Sequence, residues 1–292
     1  MFKRLKITIF SILCAILSLS LVFTSVINVD AAKKVKMPTK MTDYEMNDEG
    51  NWVKRRYTTY TYNKKGDCTK TKRTFYYKDG TTDNATIKLK YTYKKGKKTK
   101  VVAIGPLEER TFTYDKKERI SKIHSYVEES REEGDIDIFT YDSKGYVKSI
   151  KKTSDYFYYP YYEQIWTYNT IISGSTVTIT FNGNDFFGDP EGPEVMTFKS
   201  SLLVKKQNTP NNYIEEYTYT KAKKGSTKGL ITTKYCTRTY KDGSVKQYKT
   251  TYSYGKKKST KTKYYKVINE DVRVVVSNLR YCLWYDYKND YK

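Results

Sequence analysis

Eight times the chain spells the same phrase: a large apolar or aromatic residue, a Thr or Ser, a second aromatic, and then a polar turn. The full copies are YTYNKKG (60–66), YTYKKG (91–96), FTYDKKE (112–118) and FTYDSKG (139–145). Looser copies are WTYN (166–169), MTFK (196–199), YTYTKAKKG (217–225) and YSYGKKK (252–258). A phrase that returns every two or three dozen residues marks a repeating structural unit. Aromatic residues and Thr favour a pleated, half-wet surface. The Asp or Asn that follows accepts hydrogen bonds from the turn backbone, and Gly takes the left-handed position that completes a hairpin. Each phrase is therefore expected to end one strand and close one hairpin. In FTYDKKE the glycine position holds Glu118, so that turn is expected to be strained or different.

Reading outward from the phrases predicts strand pairs 54–62 with 69–77, 85–93 with 99–104, 110–114 with 120–126, and 136–141 with 146–152. Further pairs are 163–168 with 176–181, 195–198 with 202–206, 214–220 with 230–240, and 245–254 with 259–267. A last pair is expected within 272–287. YKDG at 77–80 and 240–243 supplies Asp-Gly turns between hairpins. Segments 57–100 and 217–263 run parallel in pattern, which implies duplication. The expected fold is all-β: a long twisted antiparallel meander of hairpin repeats, about twelve to sixteen strands, as an open or partly curled sheet. The division is 1–31 secretory signal, 32–53 polar lead-in, 54–292 one repetitive β domain.

Composition supports the class. Tyr occurs 32 times against 11 Phe and 3 Trp. Lys3, Arg4 and Lys6 precede an apolar run from Ile7 to Ile27, with Ala31 and Ala32 as a small-residue cleavage site. A retained membrane anchor is the rival reading of that run. Three cysteines follow it: Cys68, Cys236 and Cys282. An odd number makes no disulfide framework; a Cys68–Cys236 bridge and three free thiols stay open as alternatives.

The chain carries 55 basic and 32 acidic residues, a net charge of +23, which attracts polyanions. In a meander, successive turns fall on opposite rims, so the turns after the phrases share one rim. Their lysines form the expected polyanion rim: Lys64, Lys65, Lys94, Lys95, Lys97, Lys98, Lys116, Lys117, Lys144, Lys223, Lys224, Lys256, Lys257 and Lys258. The other rim collects acidic and aromatic loops at 108–109, 128–135, 155–163, 182–194 and 269–271. Lysine in turns also serves merely to solvate tips and block edge pairing.

The phrases resemble tyrosine-aspartate (YD) repeats of RHS-type and related secreted bacterial proteins. FTYDSKGY (139–146) matches best, with 60–67 and 112–119 next. The Arg-Leu that usually follows the turn Gly is mostly absent here, and Lys often replaces the Asp. The resemblance implies a curling antiparallel sheet that serves as a shell, spacer or carbohydrate-associated surface. It supplies no catalytic residue.

Little else points to chemistry. The sole His, His124, sits in an alternating strand without a nucleophile motif, and no pattern suits a transition metal. The oxygen-rich loop 182–194 fits no EF-hand spacing. The segment YFYYPYY (156–162) is either buried or an exposed stacking platform for sugars. Its Tyr156, Tyr158, Tyr159, Tyr161 and Tyr162, extended by Trp52 and Trp166, are the candidate ligand-binding residues. The sequence thus predicts an exported, non-enzymatic envelope or surface protein, without cofactor or metal, contacting anionic polymer or glycan and no specific nucleic acid. A carbohydrate-binding module, less readily a carbohydrate-cleaving one, is the alternative.

Overall fold

The computed structural model describes residues 34–106, 108–127, 130–154, 162–182, 193–209, 212–260 and 263–264. The strands are β1 (Val35–Met46), β2 (Trp52–Tyr62), β3 (Cys68–Tyr76), β4 (Thr82–Lys94), β5 (Lys97–Ile104), β6 (Glu108–Tyr114), β7 (Ile120–Val127) and β8 (Ser130–Tyr141). They continue as β9 (Val147–Ser154), β10 (Tyr162–Ser173), β11 (Thr176–Asn182), β12 (Glu194–Lys199), β13 (Leu202–Asn208), β14 (Tyr213–Lys221), β15 (Ile231–Tyr240) and β16 (Val245–Ser259). Each pairs antiparallel with its sequence neighbours, and β1 pairs with β16. The sheet is a closed sixteen-stranded barrel. This corrects the expectation of an open or partly curled sheet: closure leaves no edge strand to protect.

Two local readings change with it. The segment 32–53, expected as a polar lead-in, holds β1, which bridges β2 and β16. The last phrase, YSYGKKK, closes no hairpin; β16 runs straight through it to Ser259, with Val35 opposite Ser259 and Lys36 opposite Lys258. The phrase there lacks Asp or Asn at the turn position, and β1 occupies the edge that a returning strand would need. The strand expected within 272–287 lies outside the described residues.

Period-two alternation puts both large residues of every phrase inside the barrel and the Thr or Ser between them outside. Phe112 is fully buried and Tyr60, Tyr114, Phe139, Met196, Phe198, Tyr217 and Tyr252 are nearly so. Six of the hairpins that follow a phrase carry one extra residue on the return strand: Thr69, Thr99, Ser121, Lys148, Val204 and Thr232. Such bulges increase local twist and bend the strand. Repeated along one rim, they curl the sheet on itself, which is the physical route to closure.

Each bulge disturbs the ladder, and the phrase supplies partners for the freed carbonyls. The hydroxyls of Thr69, Thr99, Ser121 and Thr232 donate to the carbonyls of Thr61, Thr92, Thr113 and Thr220 at 3.2–3.3 Å. Phrase tyrosines donate across the interior to the start of the neighbouring strand. Tyr91 reaches the Cys68 carbonyl at 2.6 Å, Tyr141 that of Ile120 at 2.5 Å, and Tyr219 that of Leu203 at 2.6 Å. Tyr62 reaches the Pro38 carbonyl at 2.6 Å, and Tyr254 that of Ile231. Tyrosine outnumbers Phe because the ring must be apolar while its tip satisfies a buried carbonyl.

The turns follow the expected chemistry. Asn63 Oδ1 accepts the amides of Lys65 and Asp67 at 2.8 and 3.0 Å, and Asp115 Oδ1 those of Lys117 and Arg119 at 2.8 and 2.9 Å. Glu118 adopts the same left-handed backbone as glycine elsewhere, φ 59°, and its carboxylate accepts the amide of Lys98 at 2.8 Å. That bond to the adjacent hairpin offsets the backbone cost.

Inside, one apolar cluster runs from Met37 and Met41 through Ile87, Val101, Ile123 and Ile150 to Ile231. A second gathers Ile179, Met196, Phe198, Leu203, Tyr217 and Cys236. Sixteen strands can enclose a water channel, yet Phe112, Ile123, Ile150 and Ile179 are at 0% exposure. At their level the barrel is filled by side chains. Cys68 and Cys236 are buried free thiols in separate clusters, which settles the bridge left open above.

Candidate functional site

Three regions carry the polar groups, and the barrel sorts them by rim and by face. At the phrase rim, adjacent turns are stitched together: Lys97 Nζ donates to the Lys116 carbonyl at 3.2 Å, and Lys98 N to Glu118 at 2.8 Å. Lys64, Lys65, Lys94, Lys95, Lys97, Lys116, Lys117, Lys144, Lys223 and Lys224 are exposed there. Lys98 is half-buried, its ammonium 4.4 Å from the Tyr114 ring centre, and Lys65 lies 3.4 Å over Tyr93. Lys256 and Lys258 are exposed and Lys257 half-buried, on β16 itself and not on a turn.

Beyond β16, residues 263–264 lie against this rim. Lys263 Nζ sits 2.8 Å from Asp67 Oδ1 and 2.9 Å from the Lys65 carbonyl, and Tyr264 is buried, its hydroxyl accepting the Ile231 amide at 2.7 Å and lying 3.3 Å from the Tyr254 hydroxyl. Burial works against ionising Asp67. Hydrogen bonds from Lys263 and from Tyr93 (2.5 Å), with the charges of Lys263 and Lys98, outweigh it and hold the carboxyl below its ordinary value. Burial, then that same carboxylate, pushes the Tyr93 hydroxyl up to about 12.

Toward the opposite rim the inward positions turn from apolar to charged. Arg56 meets Asp43 at 2.7 Å, Arg238 meets Glu215 at 2.6 Å, and Lys206 meets Glu194 at 2.9 Å. Asn208 donates to Glu194 at 3.1 Å and Thr250 to Asp43 at 2.7 Å. Pairing is what makes these buried charges tolerable. Glu194, one oxygen of the loop weighed as a cation site, is thus engaged by protein groups. The rest of that loop, 183–192, lies outside the described residues. Among the described residues no three His, Cys, Asp or Glu side chains are grouped to hold a metal.

The aromatic candidates separate. Trp52 stands on the outer wall, 6.4 Å from Tyr235 and 4.4 Å from the Lys249 ammonium. Trp166 points inward, 5.2 Å from Phe181 with Lys152 4.0 Å over its ring. The two tryptophans occupy opposite faces of the wall and cannot extend one platform. Tyr156, Tyr158, Tyr159 and Tyr161 fall outside the described residues, and Tyr162 begins β10. His124 is on the outer wall, its Nδ1 2.6 Å from the Tyr126 hydroxyl; burial, then Lys122, holds its pKa below the ordinary value.

One arrangement has no local sequence signature. On the outer wall, Tyr235 is directly opposite Lys249, Lys249 opposite Tyr44, and Tyr44 opposite Lys54. Lys54 then donates to the Tyr76 hydroxyl at 2.8 Å and lies 4.3 Å over that ring. Only cross-strand register aligns these residues, which come from five strands.

No family model and no curated protein matches the chain. Among solved structures, the fold is similar to a porin-like protein from Bacteroides uniformis ATCC 8492, with a TM-score of 0.53 and 14% identity, covering 77% of this chain and 100% of that one. At that identity the likeness speaks to the barrel alone.

Proposed function

We propose that this is an exported, non-enzymatic surface or envelope protein that holds anionic polymer at its phrase rim. The observation that carries the reading is convergence: turns from successive hairpins adjoin on one rim and leave their lysine ammonium groups exposed. A linear polyanion gains from many weak contacts along such a rim, none of which needs a pocket.

A channel in lipid is the reading the fold likeness invites, and the wall argues against it. Lipid-facing barrels are apolar outside and polar within. Here the interior holds the apolar clusters, and although Ile138, Ile165 and Ile171 are exposed, Lys72, Lys88, Lys90 and Lys100 stand exposed in mid-strand on neighbouring strands. Each lysine at a bilayer midplane costs about 2–4 kcal/mol.

Binding to poly(glycerol phosphate) tests the proposal. Affinity should fall about tenfold or more between roughly 50 and 200 mM salt. Replacing Lys64, Lys65, Lys116 and Lys117 by Gln should flatten that dependence. Affinity indifferent to salt contradicts the reading.

A further inference from the structure

The outer face of β15, β16, β1, β2 and β3 brings lysines and aromatic rings into register across adjacent strands. β2, β3, β15 and β16 contain no acidic residue at all, and the two acids of β1, Asp43 and Glu45, pair with Arg56 and Arg55. A solvated sheet ordinarily sets some lysines against carboxylates across strands. This barrel does so elsewhere, where Lys151 on β9 meets Glu163 on β10 at 2.7 Å. On the acid-free face Lys249 and Lys54 lie against aromatic rings instead. Lys249 is 4.8 Å from Tyr44 and 4.4 Å from Trp52, and Lys54 is 4.3 Å from Tyr76.

The order along the row is regular. Rings stand on β15, β1 and β3, and ammonium groups on β16 and β2 between them. Adjacent strands are about 4.8 Å apart, so like groups recur roughly every 10 Å. That is close to the length of one β-linked disaccharide. Sugar rings stack on aromatic faces, and rigid side chains lose little entropy in doing so. A carboxylate on alternate sugars meets a lysine with no neighbouring acid to repel it. One Lys–aromatic pair is explained by cation–π attraction alone. Its repetition in register over five strands, with acids excluded from the outer face, needs a further reason.

We infer that this face is a binding site for a linear acidic polysaccharide lying across the strands, with rings on Tyr235, Tyr44 and Tyr76 and anions at Lys249 and Lys54. The site is separate from the phrase rim and does not rest on it.

Three probes separate the contributions: hyaluronan hexasaccharide offers rings and carboxylates, chitohexaose rings only, and inorganic polyphosphate charge only. Tyr44→Thr with Tyr235→Thr keeps strand-favouring residues on the surface. This variant should bind hyaluronan about tenfold more weakly than the unaltered protein. Lys54→Gln with Lys249→Gln should weaken hyaluronan similarly and leave chitohexaose unchanged, which also reads the site if the tyrosine variant folds poorly. Polyphosphate should follow only the rim lysines. Hyaluronan affinity that is unchanged in both row variants overturns the inference. Hyaluronan affinity lost only when Lys64, Lys65, Lys116 and Lys117 become Gln overturns it too, while leaving the rim proposal standing.

Discussion

The tyrosine hydroxyl separates this interior from an ordinary apolar one. Tyr141 buries a ring and donates to the Ile120 carbonyl beside the Ser121 bulge, and burial pushes its hydroxyl pKa up to about 12. Tyr141→Phe keeps the ring and orphans the carbonyl, so it should cost about 1 kcal/mol. In a domain of this size that lowers the melting temperature by roughly 2–4 °C. Tyr57→Phe on the outer wall should leave it unchanged, and a thermal melt of both variants checks the contrast. Gly66 is constrained twice: its φ is 75°, and an added Cβ would lie 2.2 Å from Ser259 Oγ. Gly66→Ala should therefore destabilise more than Gly80→Ala, where the φ is 83° but nothing crowds the site. Acid sensitivity belongs at this scale too. Asp67 and Asp115 titrate below their ordinary value of 3.8 when folded. Their stabilisation is complete above the unfolded value and is lost as pH falls through it toward the folded one. Stability should thus decline below about pH 5, and Asp67→Asn should shallow that decline in a series of melts from neutral to acid pH.

Among elements, the strands that carry a phrase and the return strands they pair with were legible, and β1 was not. Asn63, Asp115 and Asp142 each mark a turn whose amides they accept, a local signal readable from neighbours in the chain. β1, with the sequence VKMPTKMTDYEM, has no such signal: Pro38 denies the ladder a donor, and its only large buried side chains are Met37 and Met41. Its strand character comes from β2 and β16 on either side. The turn after the last phrase was misread because strand pairing there depends on β1, more than 200 residues earlier. Removing residues 33–47 therefore tests whether β1 is a wall or a leader. Loss of the cooperative melt is expected, since β2 and β16 would become bare edges; an unchanged melting temperature would make β1 dispensable.

At the scale of the molecule, the repeat made the all-β class and the sharing of one rim by the phrase turns legible, because alternation along a meander is a counting argument. Closure was not legible. It arises from bulges at Thr69, Thr99, Ser121, Lys148, Val204 and Thr232, and no single hairpin reveals how the six of them add up around a rim. The same holds for the outer row. Tyr235, Lys249, Tyr44 and Lys54 are ordinary strand residues until cross-strand register lines them up. Trp52 and Trp166 failed as a joint platform for the same reason, since the face a residue takes depends on register and bulges along the whole wall.

Closure between the first and last strands is the claim on which the rim, the interior and the outer row all depend. Thr42 lies directly opposite Thr251 across the β1–β16 seam. With Thr42→Cys and Thr251→Cys introduced together, mild oxidation followed by peptide mass analysis should recover the two segments joined by a disulfide. Recovery of both thiols free and separately alkylated would mean that the seam is open and the barrel does not exist.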